Sequence, residues 1–160
     1  MRHVVGVADM AASHDADDLI ITHALGSCLG ITIYDPVADV GGMLHVMLPD
    51  SGIDPNRAIE TPHMFVDTGV PRLFKECYAL GAVKERLEVK VAGGACASGE
   101  ADSDFFQIGK RNFLTLRKLL WKNGVLLKAH DVGGSVSRTM SIEIGTGAVV
   151  MKSGGKETLL

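Results

Sequence analysis

A cysteine and a histidine lie close together in this sequence, each in or beside a β-type run. Cys28 follows the turn Gly26-Ser27, and His45 lies within the run 42–48. A cysteine thiol, with a reference pKa of about 8.5, becomes an effective nucleophile when an imidazole takes its proton. Backbone N–H groups of a glycine-containing turn beside the thiol could hold an oxyanion. These residue types in this order indicate nucleophilic acyl transfer.

The apolar pattern of the two runs predicts where the thiol and the imidazole lie. In an antiparallel hairpin, alternate residues share a face. If the apolar residues of both runs share the buried face, Cys28 and His45 fall together on the opposite face. A register that pairs Gly30 with His45 places the Cys28 and His45 Cα atoms on a diagonal, about 7–8 Å apart. The apolar positions are Leu29, Ile31 and Ile33 in the first run and Leu44, Val46 and Leu48 in the second.

Other interpretations of these residue types are structural. Cysteines in apolar stretches are mostly small core residues, and single histidines mostly have no catalytic role. Cys77 lies on the apolar stripe of an expected helix and is interpreted as a buried structural thiol, and Cys96, in a glycine-rich loop, as incidental. His23 points away from the face of Thr22 if that strand is regular. The remaining histidines show no ligand spacing with the cysteines, so no metal site is expected.

The elements that would position these residues form one domain. Short β-type runs and two helical segments follow one another without an internal repeat or a low-complexity linker. Pro71 inside the first helix predicts a kink or a later helix start. Asn112 is expected to cap or brace the second helix, and Arg138 to pair with Asp131. We expect strands at 4–7, 19–24, 29–34, 42–48, 87–91, 125–129, 139–144 and 148–151, helices at 64–80 and 108–123, an acidic loop at 97–107 and a polar tail at 153–160.

Composition limits the function classes. The chain has 160 residues, 46% of them hydrophobic, which suffices for one core without metal or disulfide support. A net charge of −3 provides no global positive field for nucleic acid or anionic lipid. The longest uncharged stretch, 19–34, is too short to insert across a membrane, no signal peptide is visible, and the glycine pairs lack the spacing of a dinucleotide site. Three cysteines cannot all pair, which favours reduced thiols in a cytoplasmic protein.

Several motifs in order resemble one known family. The run Leu25-Gly26-Ser27-Cys28, with Thr22 before it and 42–49 after it, resembles the signature of the CheD family of chemoreceptor glutamine deamidases. The resemblance covers nearly the whole chain. Phe65 stands where that family is expected to have tyrosine, and Cys96 extends the Gly-Gly-Ala loop. The further matches, in chain order, are Asp67, 92–95, 108–112, 131–134 and Arg138.

This resemblance implies a role for each candidate residue and a fold. It implies that Cys28 is the nucleophile, His45 the base and Thr22 the group that orients the imidazole, with backbone N–H groups near Gly26 and Ser27 holding an oxyanion. It implies a single α+β domain over residues 1–160, in which a mixed or antiparallel β-sandwich-like core is flanked by helices. The fold would be similar to the deamidase domain of cytotoxic necrotizing factor toxins.

The resemblance also implies substrates and partners, and two alternatives stay open. The substrates would be glutamine side chains of methyl-accepting chemotaxis receptors, converted to glutamate without a cofactor. A CheC-type phosphatase would be a possible partner, and the first alternative is a non-catalytic regulator that binds it. The second is a general cysteine peptidase or amidase, since side-chain and backbone amides require the same catalytic groups.

Overall fold

The computed structural model describes residues 1–96 and 107–160, and its strands form two stacked β-sheets with helices outside one of them. The helices are α1 (Pro55–Glu60), α2 (Val66–Ala79) and α3 (Ile108–Lys122), and the strands are β1 (Arg2–Val5), β2 (Asp9–Ser13), β3 (Leu19–Leu25), β4 (Leu29–Asp35), β5 (Val40–Val46), β6 (Glu88–Gly93), β7 (Leu127–Val132), β8 (Arg138–Glu143), β9 (Val149–Ser153) and β10 (Lys156–Leu159). No helix in these two ranges has the length and apolar character needed to cross a bilayer.

Each sheet contains five of the described strands. The first sheet has the order β1-β3-β8-β9-β10, and the second has the order β2-β5-β4-β6-β7. The pairs β1–β3 and β6–β7 are parallel, and the other pairs are antiparallel. The fold is therefore a mixed α+β arrangement of two sheets with helices, as the sequence predicted.

The second sheet is covered on both faces, which explains its apolar strands. An inter-sheet core fills the space between the sheets, and a helix-side core lies between the second sheet and helices α2 and α3. A strand buried on both faces carries apolar residues at most positions. All seven residues of β4 and all seven of β5 are buried. Fully buried members are Ile20, Leu25, Met43, Met140 and Ile142 in the inter-sheet core, and Leu29, Ile31, Leu44, Leu73 and Leu116 in the helix-side core.

The β4–β5 hairpin has the face alternation that the apolar pattern predicted, in the register that was considered with it. Gly30 is the cross-strand partner of His45, and Leu29 pairs with Val46. The odd positions of β4 and the even positions of β5 share the helix-side core, so the alternate positions face the first sheet. A Cβ atom at Gly30 would lie 2.9 Å from side-chain atoms of Leu25 and Met140, which confirms that this position packs against the first sheet.

Some local expectations hold and others are wrong. Helix α2 begins at Val66, later than expected, and continues through Pro71. Strand β2 and helix α1 were not expected. The polar segment predicted at 153–160 also contains a strand, because β9 extends to Ser153 and pairs with β10 as an antiparallel hairpin. Every residue of β10 is exposed, so the strand has no apolar alternation to reveal it. Both glycines of its turn, 154–155, have positive φ angles, as in a two-residue β-hairpin loop.

Candidate active site

The predicted site residues lie at the interface between the two sheets. Thr22 is in β3 of the first sheet, His45 is in β5 of the second sheet, and Cys28 directly precedes β4. The Thr22 hydroxyl oxygen and His45 Nδ1 are 2.7 Å apart. Their residues are 0% and 1% exposed. Cys28 is partly buried and packs against the inter-sheet core. The fold thus places the thiol and the imidazole on the same face of the second sheet.

The hydrogen bonds of Thr22 determine the tautomer of His45. The Thr22 hydroxyl donates to the carbonyl oxygen of Val5 at 2.7 Å. Since the hydroxyl has one proton, its oxygen accepts at His45, and His45 Nδ1 must be the donor. A neutral imidazole protonated at Nδ1 carries its lone pair at Nε2. The network therefore leaves Nε2 as the basic atom.

The Nε2 atom of His45 is available to act as a base. It is buried, and it has no hydrogen-bond partner within residues 1–96 and 107–160. Burial lowers the pKa of the His45 imidazole below its ordinary value of 6.5, because desolvation disfavours the charged ring. The ring is thus neutral near pH 7. An unpartnered polar atom inside a protein is destabilising and is more often found where it has a chemical role.

Cys28 is a neutral thiol in this environment. Burial raises the pKa of the Cys28 thiol above its ordinary value of 9.0, and a hydrogen bond from the residue's own backbone N–H lowers it in part. The geometry therefore describes a neutral thiol on the same face as a neutral imidazole. Such a pair can perform general-base-assisted nucleophilic attack, in which proton transfer accompanies the formation of the new bond.

The carbonyl groups of the turn before Cys28 accept hydrogen bonds, whereas two of its N–H groups have no partner in another described residue. The carbonyl oxygens of Gly26 and Cys28 accept from the backbone N–H groups of Ala95 and Gly94, at 2.8 and 2.9 Å. The Ser27 carbonyl accepts from a side chain of helix α3 at 3.0 Å. Within the described part of the chain, the N–H groups of Ser27 and Cys28 donate to no other residue. They are suitable donors for a developing oxyanion.

The side chain that donates to the Ser27 carbonyl is that of Asn112, and the sequence did not predict this contact. Asn112 was expected to cap or brace its own helix. Instead, its Nδ2 donates to the carbonyl oxygens of Ser27 and Met47, at 3.0 and 3.1 Å. The residue is 0% exposed, although it is polar and lies one turn into α3. A buried asparagine in an otherwise apolar helix face is the one sequence signal that could have indicated this contact.

The structure also locates the residues to which the sequence gave no catalytic role. Cys77 is fully buried in the helix-side core, and burial raises the pKa of its thiol to about 12. His23 is exposed. Arg138 and Asp131 form the expected ion pair at 3.4 Å. Within the described ranges, no three His, Cys, Asp or Glu residues are grouped as metal ligands. The acidic loop predicted at 97–107 lies outside the described residues, except for its last residue.

Replacing Thr22 by valine should impair the base without unfolding the protein. Valine keeps the shape of threonine but leaves Nδ1–H of His45 buried and unpaired, so the proton can move to Nε2. An unpaired buried donor costs about 1–3 kcal/mol, so we expect a roughly 10- to 100-fold fall in kcat on an amide substrate. Steady-state kinetics would measure it. Thr22→Ser keeps the hydroxyl and is the matched control; equal losses in both variants would contradict the tautomer role.

Replacing Gly109 by alanine should displace helix α3 from the loop after β6, whose N–H groups bind the turn that precedes Cys28. A Cβ atom at Gly109 would lie 2.5 Å from the carbonyl oxygen of Gly94 and 2.9 Å from that of Ala95. Since both contacts are with backbone, we expect the free energy of unfolding to fall by about 1–3 kcal/mol. Urea denaturation measures this change. Gly6→Ala, where a Cβ atom would meet nothing within 4 Å, is the control, and an unchanged Gly109→Ala protein would show that the close packing is not required.

Comparison with known proteins gives matches over most of the chain. The profile of a family described as "CheD chemotactic sensory transduction" matches residues 47–153. Proteins named probable chemoreceptor glutamine deamidases from Solibacter usitatus and Syntrophus aciditrophicus are 51% and 49% identical to the chain. These alignments cover 96% and 95% of this chain, and 90% and 94% of the relatives. A relative of the same description from Pyrococcus abyssi is 43% identical over 92% of this chain and 89% of its own.

Among solved structures, a crystal structure of a Neisseria meningitidis protein of the DUF152 family matches with a TM-score of 0.44 at 9% sequence identity. The match covers 82% of this chain and 63% of the other.

Proposed function

The chain belongs to the CheD family, and on that premise we propose that it deamidates glutamine side chains of chemoreceptors to glutamate and releases ammonia. The observation that carries the proposal is the Thr22–His45 hydrogen bond, which leaves Nε2 of His45 as an unprotonated base on the face of Cys28. The names of the relatives at 51% and 49% identity support the substrate class. Methyl-accepting chemotaxis receptors are the proposed substrates.

The first half of the proposed reaction forms a thioester. The Cys28 thiol transfers its proton to Nε2 of His45 as the sulfur attacks the carbonyl carbon of the glutamine side chain. The carbonyl oxygen becomes an oxyanion that the N–H groups of Ser27 and Cys28 would stabilise, since neither donates to another described residue. The protonated His45 then donates its proton to the departing nitrogen, because an amide anion is too basic to leave. Ammonia departs, and a γ-glutamyl thioester remains on the sulfur.

The second half of the reaction uses the same groups in reverse. His45, neutral again, takes a proton from water as the water oxygen attacks the thioester carbon. The resulting oxyanion collapses, the carbon–sulfur bond breaks, and the sulfur regains its proton from His45. The receptor keeps a glutamate and so gains one negative charge for each reaction. Thr22 can remain the acceptor of Nδ1–H in both protonation states of the ring, which keeps the imidazole in one position.

The proposal also covers the cellular location of the enzyme and the relationship of its fold. We place the enzyme in the cytoplasm, which is supported by the thiols of Cys28 and Cys77, neither of which forms a disulfide. We also propose that the fold is related to the deamidase domain of cytotoxic necrotizing factor toxins, as the sequence motifs imply. The two-sheet core with flanking helices is compatible with that relationship.

The experiment that tests the function uses the purified full chain and a receptor signalling fragment. We expect release of ammonia together with the small mass increase of amide-to-acid conversion at particular glutamines, located by peptide mass spectrometry. A receptor fragment in which those glutamines are already glutamate is the control and should release nothing. Absence of ammonia would overturn the proposal. Cleavage of the receptor backbone in place of deamidation would support the peptidase alternative.

A further inference from the structure

The Asn112 side chain connects the two chain segments that carry the proposed nucleophile and base. Its Nδ2 atom has two protons and two acceptors, the carbonyl oxygens of Ser27 and Met47. Ser27 directly precedes Cys28, and Met47 lies two residues after His45. Since both partners can only accept, the amide orientation is fixed by the donors. Asn112 is separated from these residues by 85 and 65 positions in the chain.

The contact with Ser27 sets the direction of the Cys28 N–H group. A trans peptide unit is planar, so its C=O and N–H bonds point in opposite directions. Within residues 1–96 and 107–160 no peptide bond is cis. Because Asn112 holds the Ser27 carbonyl towards helix α3, the N–H of Cys28 in the same peptide unit must point away from that helix. No other described residue accepts a hydrogen bond from this N–H, so it is available to a tetrahedral intermediate that forms at the adjacent Cys28 sulfur.

Without a hydrogen-bond partner for the Ser27 carbonyl, the turn would not fix the orientation of the Ser27–Cys28 peptide unit. Ala24 has a left-handed φ of 58°, so the turn is already in a sparsely populated backbone conformation. The neighbouring carbonyls, those of Gly26 and Cys28, accept from backbone donors, whereas among the described residues only the Asn112 side chain donates to the Ser27 carbonyl. Rotation of a single peptide unit would turn its carbonyl into the site and its N–H away.

The Asn112 side chain makes this contact although burying its polar group lowers the stability of the fold. It is 0% exposed, and its Oδ1 atom has no hydrogen-bond partner within the described ranges. A buried oxygen without a partner is destabilising relative to an apolar group of the same shape. A side chain chosen for stability alone would be apolar here, as at Leu116 one turn later, which is fully buried in the helix-side core. The two hydrogen bonds that Nδ2 donates therefore explain why a polar side chain occupies this buried position.

We infer that Asn112 is a positioning residue that keeps the Cys28 N–H directed at the oxyanion and links the Cys28 turn to the end of the His45 strand. This inference rests on the deamidase function proposed above. Asn112 does not touch the reacting atoms. Its removal should reduce stabilisation of the oxyanion while leaving the thiol and the imidazole in place.

Two rates measured on the same variants separate this role from a general loss of structure. Deamidation passes through a tetrahedral oxyanion, whereas alkylation of Cys28 by iodoacetamide displaces iodide at carbon and forms no oxyanion. For Asn112→Asp, whose carboxylate repels both carbonyls, we expect kcat for deamidation to fall by about 10- to 100-fold. We expect KM and the alkylation rate of Cys28 to stay within about threefold of wild type, since neither depends on the oxyanion.

Two further variants separate the positioning role of Asn112 from other causes of lost activity. Asn123→Asp, in the residue that ends α3 and donates to its own helix, should change neither rate. Asn112→Leu removes both donors without adding charge and gives the same pair of measurements if Asn112→Asp does not fold. Parallel losses in deamidation and alkylation, or unchanged deamidation, would overturn the positioning role alone. A wild-type chain that releases no ammonia while its Cys28 is alkylated would overturn the proposed function and this role with it.

Discussion

Cys28→Ala should abolish the release of ammonia from a receptor fragment while the protein remains folded. The sulfur is the only atom of the proposed site that forms a covalent bond with the substrate, so without it the reaction has no acyl-enzyme route. Cys28 is partly buried at the inter-sheet face, and alanine keeps its Cβ atom. The helix-side face of the hairpin, with Leu29 and Ile31, is unaffected. Ammonia release, with thermal unfolding measured in parallel, checks the expectation.

The control for this experiment is another cysteine of the same chain. Cys96→Ala removes a thiol from the loop after β6 and should leave deamidation unchanged. The non-catalytic alternative, a regulator that binds a CheC-type phosphatase, predicts a different pattern. An interface distributes its energy over several anchors, so binding to such a partner should largely survive in Cys28→Ala. Full ammonia release by the Cys28→Ala protein would eliminate cysteine catalysis.

The hairpin could be predicted from the sequence because the residues that determine it lie in two neighbouring runs of the chain. Alternation within two neighbouring runs determines which residues share a face, and the need to bury Leu29 with Leu44 requires odd positions of one strand to lie with even positions of the other. The observed pairing of Gly30 with His45 has this parity. The two long helices were also predicted, because an apolar stripe at helical spacing persists over several turns.

The contacts between the sheets and with helix α3 could not be predicted in the same way. The Thr22–His45 hydrogen bond joins strands from different sheets, and periodicity says nothing about how two sheets are stacked. Thr22 entered the predicted site only through a family resemblance. The two bonds of Asn112 span still longer separations and depend on the placement of α3. Strand β10 was missed because its side chains are all exposed, so only its glycine turn was visible.

The protonation states of His45 and Cys28 determine a second large effect, the dependence of the reaction on pH. Burial lowers the pKa of His45 below 6.5 and raises the pKa of Cys28 above 9.0. In the proposed mechanism the reactive form has both groups neutral, so this form predominates between these values. Protonation of the imidazole removes the base at lower pH. Ionisation of the thiol at higher pH leaves the pair without the proton that the leaving nitrogen needs.

We therefore expect kcat/KM to be constant from about pH 6.5 to 9 and to fall on the acid side as His45 becomes protonated. His45→Ala should lower kcat by about 10²- to 10⁴-fold and remove the acid limb, since no base is left to titrate. His23→Ala, whose exposed ring is adjacent to Thr22 in sequence, is the matched control and should keep the wild-type profile.

Alkylation of Cys28 gives an independent measurement of the same protonation states. For a neutral thiol, the rate of iodoacetamide labelling should rise with pH throughout the range from 6.5 to 9, because the thiolate fraction is still increasing. Cys77, with its pKa raised to about 12 and its side chain fully buried, should be labelled far more slowly. His45→Ala should slow the labelling of Cys28 mainly at the low-pH end of this range, where thiolate is scarce and the neutral thiol reacts only with the imidazole as proton acceptor. A labelling rate that is already maximal at pH 6.5 would instead show a preformed thiolate–imidazolium pair, and proton transfer would then precede attack.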